Sequence, residues 1–130
     1  MKNAYQKYKD SSVQSASREK LLLMLYEGAI RYTRKAIQAC EAKDIAERGM
    51  NIGKAFDIVM ELNNTLNHEV GGDISKNLEQ LYMFITDKLT QANISGKKEP
   101  LAQVVKRLDT LYAGWVEAIE KLKLDEGAKP

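Results

Sequence analysis

The chain has 130 residues, the length of one domain that buries roughly two thirds of its unfolded surface. Its formal net charge of +2 is far from the dense positive charge that neutralises a phosphate backbone, so nucleic acid is not an expected partner. No apolar run approaches the ~18 to 20 residues that span a bilayer, and the first residues lack the apolar stretch of a signal peptide. Cys40 is the only cysteine, which excludes an internal disulfide and is typical of a reducing compartment. The composition therefore predicts a cytoplasmic protein without membrane insertion.

Residues 1–16 show no sustained helical period and are predicted to form an N-terminal arm. Tyr5, Tyr8 and Val13 stand in an otherwise polar stretch. Such side chains suit a segment that docks on an apolar groove. A plain disordered tail is the alternative, because chain termini are commonly loose.

The first helix is predicted to begin at Ser17, whose hydroxyl can cap a free amide of the first turn, and to end near Glu41. At 100° per residue one apolar stripe runs along it. The members of this stripe are Leu22, Leu25, Tyr26, Ala29, Thr33, Ala36, Ile37 and Cys40.

The second helix is predicted to begin at Asp44, because Asp44 and Glu47 have the spacing of a capping box. Gly71 and Gly72 are predicted to end it, since the left-handed residue after a helix is least strained as glycine. Asp73 is then placed as the cap of the third helix.

The third helix is predicted to end around Gly96, and the fourth to begin near Pro100, where a missing amide hydrogen is tolerated. Four amphipathic helices with short connections must bury their stripes against one another. The sequence therefore predicts an all-α fold, an antiparallel up-down-up-down four-helix bundle over residues 17–124. Residues 125–130 are predicted to be a tail.

Side chains that could support catalysis or bind metal are few. His68 is the only histidine, which excludes a di-iron bundle site with its two Glu-x-x-His pairs, and one cysteine with one histidine cannot form a zinc quartet. Gly71-Gly72 follows a helix, which is the wrong context for a phosphate-binding loop. We therefore expect no enzyme, no metal and no cofactor.

Several apolar residues lie outside the predicted core stripes. Residues 21–26 are consecutively apolar, so they encircle the first helix, and Met24 lies opposite its stripe. Met83 and Met50 are also off the stripes of their helices, and flexible methionines suit surfaces that bind helices by repacking. Coverage by the arm or by an uneven core is the alternative. The predicted binding residues on these helices are Leu21, Met24, Leu25, Leu62, Leu66 and Met83.

Two blocks of sequence resemble the FliS family of flagellar secretion chaperones. The first contains Ala4-Tyr5, then the pattern AS-x-x-K-L from Ala16, then MLYEGA from Met24. The second is LNNTLNHEVGGDISKNLEQLY from Leu62, and the position of Trp115 is similar too. One departure is Arg18, where family members often carry proline.

The resemblance implies a four-helix bundle that binds the C-terminal disordered region of flagellin and keeps it unpolymerised for flagellar type III secretion. Client helices would occupy apolar grooves, and Tyr5 matches the arm tyrosine of the family, so Tyr5 and Tyr8 join the predicted client contacts. The alternative is a regulatory or adaptor bundle that binds another cytoplasmic flagellar regulator, such as an anti-sigma factor. Export-gate components are possible further partners.

Overall fold

The computed structural model describes the backbone of residues 4–128 and the side chains of residues 17–125. Every regular element in this range is an α-helix, which confirms the all-α prediction. The elements are α1 (Ala4–Glu41), α2 (Ile45–Asn64), α3 (His68–Gly71), α4 (Asp73–Ser95) and α5 (Glu99–Ala128).

The four long helices form a closed square. Helix α1 packs against α2 and α5, and α4 packs against the same two helices, whereas the diagonal pairs do not touch within the described backbone. Short connections join each helix to a neighbour, so successive long helices run antiparallel. The predicted up-down-up-down bundle is confirmed.

The predicted start of the first helix is wrong, because α1 begins at Ala4 and Ser17 lies inside it. The segment before Ser17 contains neither glycine nor proline, so it holds neither of the two residues that most disfavour a helix. Arg18 keeps a backbone N–H, whereas proline at this position would remove a helical hydrogen bond. The side chains of residues 4–16, including Tyr5 and Tyr8, lie outside the described ones, so their binding role stays a prediction.

The connection between α2 and α4 differs from the prediction. Asp44 caps α2 as expected, its carboxylate accepting from the Glu47 amide at 3.1 Å. The helix ends at Asn64, however, well before the glycine pair. Asn67 then caps the short α3 by accepting from two backbone amides of its first turn. Because an asparagine side chain competes for backbone groups, it starts a new turn where the sequence pattern suggested a continuous helix.

Both ends of α4 depend on glycine. Gly72 has φ 52° and precedes the helix, so Asp73 is the first residue of α4 and not its cap, which corrects the prediction. Gly96 has φ 73° and donates its amide to the Ala92 carbonyl at 2.8 Å, which confirms the predicted helix end. Pro100 is the second residue of α5, as expected.

The core lies along the axis of the square and consists of the inward-facing residues of all four long helices. Its largest fully buried apolar side chains are Tyr26, Tyr82, Leu62, Ile85, Leu89, Leu101 and Leu108. The helical period of the third predicted helix places Ile74 on its apolar stripe and so predicts that it is buried, but Ile74 is exposed in the first turn of α4. At this end of the bundle no neighbouring helix in the described part covers Ile74, so the prediction was wrong there.

Candidate partner-binding surface

An apolar groove of about 440 Å³ lies between α1 and the residues that follow α2. Its lining consists of three leucines of α1, Leu21, Leu22 and Leu25, together with Arg18 and Thr65. We call this feature the α1–α2 groove. Two of the predicted binding residues, Leu21 and Leu25, therefore line one cavity, because they are four residues apart on one helix face.

The exposure predicted for the off-stripe residues is confirmed. Leu21 and Met24 are each 54% exposed, and Met83 and Met50 are each 47% exposed. Leu21 and Met24 lie on adjacent positions around α1, so they extend the apolar surface beyond the groove. Met83 lies on α4, whose backbone does not approach that of α1 in the described bundle, and Met83 does not line the groove.

Leu62 is a correction to the set of binding residues. It is fully buried in the core with Ala55 and Val59, which precede it on the same face of α2. A side chain with no exposed surface cannot contact a partner on the outside of this fold. Leu66, which follows the end of α2, is half-buried and packs at the edge of the core.

Helices α1 and α2 come into close contact just beyond the groove, along the line between them that we call the α1–α2 seam. Gly28 of α1 is buried, and a Cβ atom added to it would lie 3.2 Å from the Ile58 Cδ1 atom of α2. Since 3.2 Å is tighter than an ordinary carbon contact, a glycine is the residue that lets the helices approach here. The groove is therefore bounded on one side by a close helix contact.

Buried aromatic side chains hold the α1 segment that carries the groove. The hydroxyl groups of Tyr26 and Tyr82 share a hydrogen bond, and Trp115 Nε1 donates to the Tyr26 hydroxyl at 3.1 Å. These residues belong to α1, α4 and α5, so one network links three helices. Burial, as the largest effect, raises the pKa of Tyr26 and also that of Tyr82, so both phenols are neutral at ordinary pH. Sequence reasoning missed the network, although buried tyrosine and tryptophan usually find a hydrogen-bond partner.

Two further absences bear on the kind of site. Among the described residues there is no group of three or more His, Cys, Asp or Glu side chains that could hold a metal ion. None of the helices, over the part of the chain described, is long and apolar enough to cross a membrane.

The fold and its surface define the class of antiparallel four-helix bundles that carry an apolar groove on the outside. The chain belongs to the FliS family, since the family model described as flagellar protein FliS matches residues 1–122. The predicted membership is confirmed.

Curated relatives and a solved structure are similar to the chain over nearly its whole length. The flagellar secretion chaperone FliS of Vibrio cholerae is 36% identical over 119 residues, which cover 88% of each chain. That of Bacillus subtilis is 34% identical over 125 residues, which cover 96% of this chain and 92% of the relative. A crystal structure of a flagellar chaperone from bacteria is 22% identical, with a TM-score of 0.80 over 91% of this chain and 96% of the other. The structural likeness supports the bundle fold.

Proposed function

We propose that this protein is a cytoplasmic export chaperone that binds the C-terminal disordered region of flagellin in the α1–α2 groove. It prevents premature polymerisation and keeps the client competent for flagellar type III secretion. Family membership supports the class of function. The observation that carries the choice of site is the pair of half-exposed side chains, Leu21 and Met24, beside a leucine-lined groove.

The groove fits recognition of an amphipathic helix. A client helix would place its apolar face on Leu21, Met24 and Leu25 and leave its polar face in water. Each square ångström of apolar surface removed from water contributes about 25 cal/mol, whereas ordering a disordered client costs several kcal/mol. A broad apolar contact is therefore needed, and it would mask the client face that polymerises.

Tyr5 and Tyr8 remain part of the proposed contact set. Their segment forms the first turns of α1, 13 to 16 residues before Leu21, which is about 20 to 24 Å along a helix. We propose that Tyr5 and Tyr8 contact a part of the client that extends beyond the groove, and that Met83 contacts a different part of a client that wraps around the bundle.

The proposal is tested first by co-purification with flagellin. Full-length flagellin should be retained by the immobilised protein, whereas flagellin without its last ~40 residues, a length that allows for helix-in-groove binding, should be lost. Equal retention of both forms would contradict the proposed site on flagellin. Such a result would favour the alternative of an adaptor bundle with a different flagellar partner.

A Met24→Asp variant tests the surface. A charge in the apolar contact should weaken flagellin binding about tenfold or more, as measured by isothermal titration calorimetry, because it would be desolvated without a partner. The free energy of unfolding should change by less than about 1 kcal/mol, since Met24 is half-exposed.

Met50→Asp is the matched control, because Met50 is exposed to a similar degree but lies near the opposite end of α2 from the groove. It should leave flagellin binding unchanged. Equal loss of flagellin binding in both variants would contradict the assignment of the client to the α1–α2 groove.

A further inference from the structure

Three positively charged side chains surround one aromatic ring on the α1–α2 seam. Arg31 Cζ lies 5.2 Å, Lys35 Nζ 5.6 Å and Lys54 Nζ 5.1 Å from the centroid of the Tyr32 ring. We call Arg31, Lys35 and Lys54 the basic cluster. Arg31 and Lys35 belong to α1 and Lys54 to α2, so only the packing of the helices brings them together.

The positive charge of this cluster is not neutralised by ion pairing within the described side chains. The ion pairs found there join Arg34 to Asp109, His68 to Glu79 and Lys98 to Glu41. Glu27, one turn before Arg31, accepts a hydrogen bond from the Tyr112 hydroxyl at 2.7 Å. The interaction with Arg31, followed by the charge of Lys54, lowers the pKa of Tyr32, which is the sign of a positive local potential.

The aromatic ring explains how three like charges are held close together. A cation within about 6 Å of a ring centroid is attracted by the ring's quadrupole. Tyr32 thus offsets part of the mutual repulsion and keeps the three side chains near one ring. Their exposed positive groups remain available to a negatively charged partner.

The basic cluster lies on the same seam as the α1–α2 groove. Leu25 and Tyr32 are about two helical turns apart on α1, a distance of about 10 Å. The close contact of Gly28 with Ile58 lies between them. One bound helix of three to four turns, about 16 to 22 Å, can therefore reach from the groove to the cluster.

We propose that the basic cluster binds an acidic stretch of the same flagellin segment whose apolar residues occupy the α1–α2 groove. This inference rests on the proposed function. Carboxylates about two turns from the apolar anchors would pair with Arg31, Lys35 and Lys54. Because the seam is apolar at one end and positive at the other, the client helix binds in one direction only. Charge complementarity of this kind sets orientation and association rate more than affinity.

A protein carboxylate fits the cluster better than a nucleic-acid backbone. The whole chain carries a formal net charge of only +2, which provides no extended positive track for a polyanion. The three cations surround one ring about two helical turns from the apolar groove, which matches an amphipathic helix with a local acidic group.

The test is the double substitution Lys35→Gln and Lys54→Gln, with flagellin binding measured at low salt and at high salt. Affinity at low salt should fall about two- to thirtyfold, the range for two surface ion pairs. The loss of affinity between low and high salt should be smaller for the variant than for the parent protein, because screened charges have been removed. Association rates, measured by stopped flow, should fall more than dissociation rates rise.

Lys76→Gln with Lys106→Gln is the matched control, since both lysines are exposed on other helices and the net charge changes equally. If the control pair weakens binding as much as the cluster pair, only net charge matters and the inference is wrong. Unchanged affinity and salt dependence in the cluster variant would also overturn the inference. The proposed function would still stand in that case, provided that the parent protein binds flagellin only when the C-terminal region of flagellin is present. A parent protein that fails to bind flagellin defeats both. Loss of binding to a single-stranded DNA oligonucleotide, with flagellin binding intact, would assign the cluster to a polyanion instead.

Discussion

Replacing Leu62 with alanine should lower the free energy of unfolding by about 2 to 5 kcal/mol, the range for a leucine truncated in a rigid core. Leu62 is fully buried with Ala55 and Val59 on the inner face of α2. Removing its three terminal carbon atoms takes away apolar burial and leaves a cavity that the packed helices fill only in part. Urea denaturation followed by circular dichroism measures the change.

Leu21→Ala is the control for Leu62→Ala, because the chemical change is the same and Leu21 is 54% exposed. Leu21→Ala should change the free energy of unfolding by less than about 1 kcal/mol. It should weaken flagellin binding more than Leu62→Ala does, once the affinities are corrected for the fraction of each variant that is folded. Similar destabilisation by both substitutions would mean that Leu21 belongs to the core. The comparison separates the leucines that build the bundle from those proposed to bind the client.

Tyr26→Phe should destabilise the bundle by about 1 to 3 kcal/mol, the usual effect of leaving a buried polar group without its partner. The substitution keeps the ring but removes the oxygen that joins Tyr82 to Trp115. The Tyr82 hydroxyl is then buried without its hydrogen-bond partner among the described side chains. Denaturation experiments give the free energy, and the emission of Trp115, the single tryptophan, reports the altered environment of the indole N–H.

Tyr112→Phe is the matched control for Tyr26→Phe. Its hydroxyl donates to Glu27 at an exposed position, so water replaces the lost bond. The change in unfolding free energy should stay within about 0.5 kcal/mol. If Tyr112→Phe destabilised the protein as much as Tyr26→Phe, burial would not be the reason why the Tyr26 hydrogen bonds stabilise the bundle.

The same network predicts the response of the bundle to alkaline pH. Burial raises the pKa of Tyr26 and Tyr82 in the folded protein, so the folded state holds these protons more tightly than the unfolded state. Their contribution to stability is therefore complete below the ordinary tyrosine pKa of about 10 and is lost as the pH rises above it. The parent protein should lose unfolding free energy above about pH 10. The variant with both Tyr26→Phe and Tyr82→Phe should lose less. Equal slopes would contradict the role assigned to the two phenols.

Several features depended on short stretches of chain and were predicted correctly for that reason. The capping of α2 by Asp44, the end of α4 at Gly96 and the place of Pro100 each follow from backbone groups a few residues apart. The exposure of Met24 and Met83 followed from helical periodicity, which depends only on the angle between successive residues. The all-α bundle followed from the stripes and short connections.

The remaining features required the packed helices. Leu62 and Leu66 are four residues apart, so helical periodicity places them on one apolar stripe, but the packed bundle buries Leu62 completely and Leu66 only in part. Helix α2 ends at Asn64 because Asn67 caps a new turn. The spacing of apolar residues contains no information about this polar cap. For the binding surface, sequence identified Leu21, Met24 and Leu25, whereas the groove itself also needs Thr65 from a segment distant in the chain.

By itself, the sequence determined the fold class, the family, the cap at Asp44 and the helix end at Gly96, because these follow from patterns and backbone groups within short chain segments. Only the tertiary structure decided which leucines are core and which line the groove. It also decided that Tyr26 meets Tyr82 and Trp115, and that Lys54 joins Arg31 and Lys35 around Tyr32. These contacts join residues of different helices, and their existence depends on helix rotation and register, which amphipathic periodicity constrains too loosely to specify atomic neighbours.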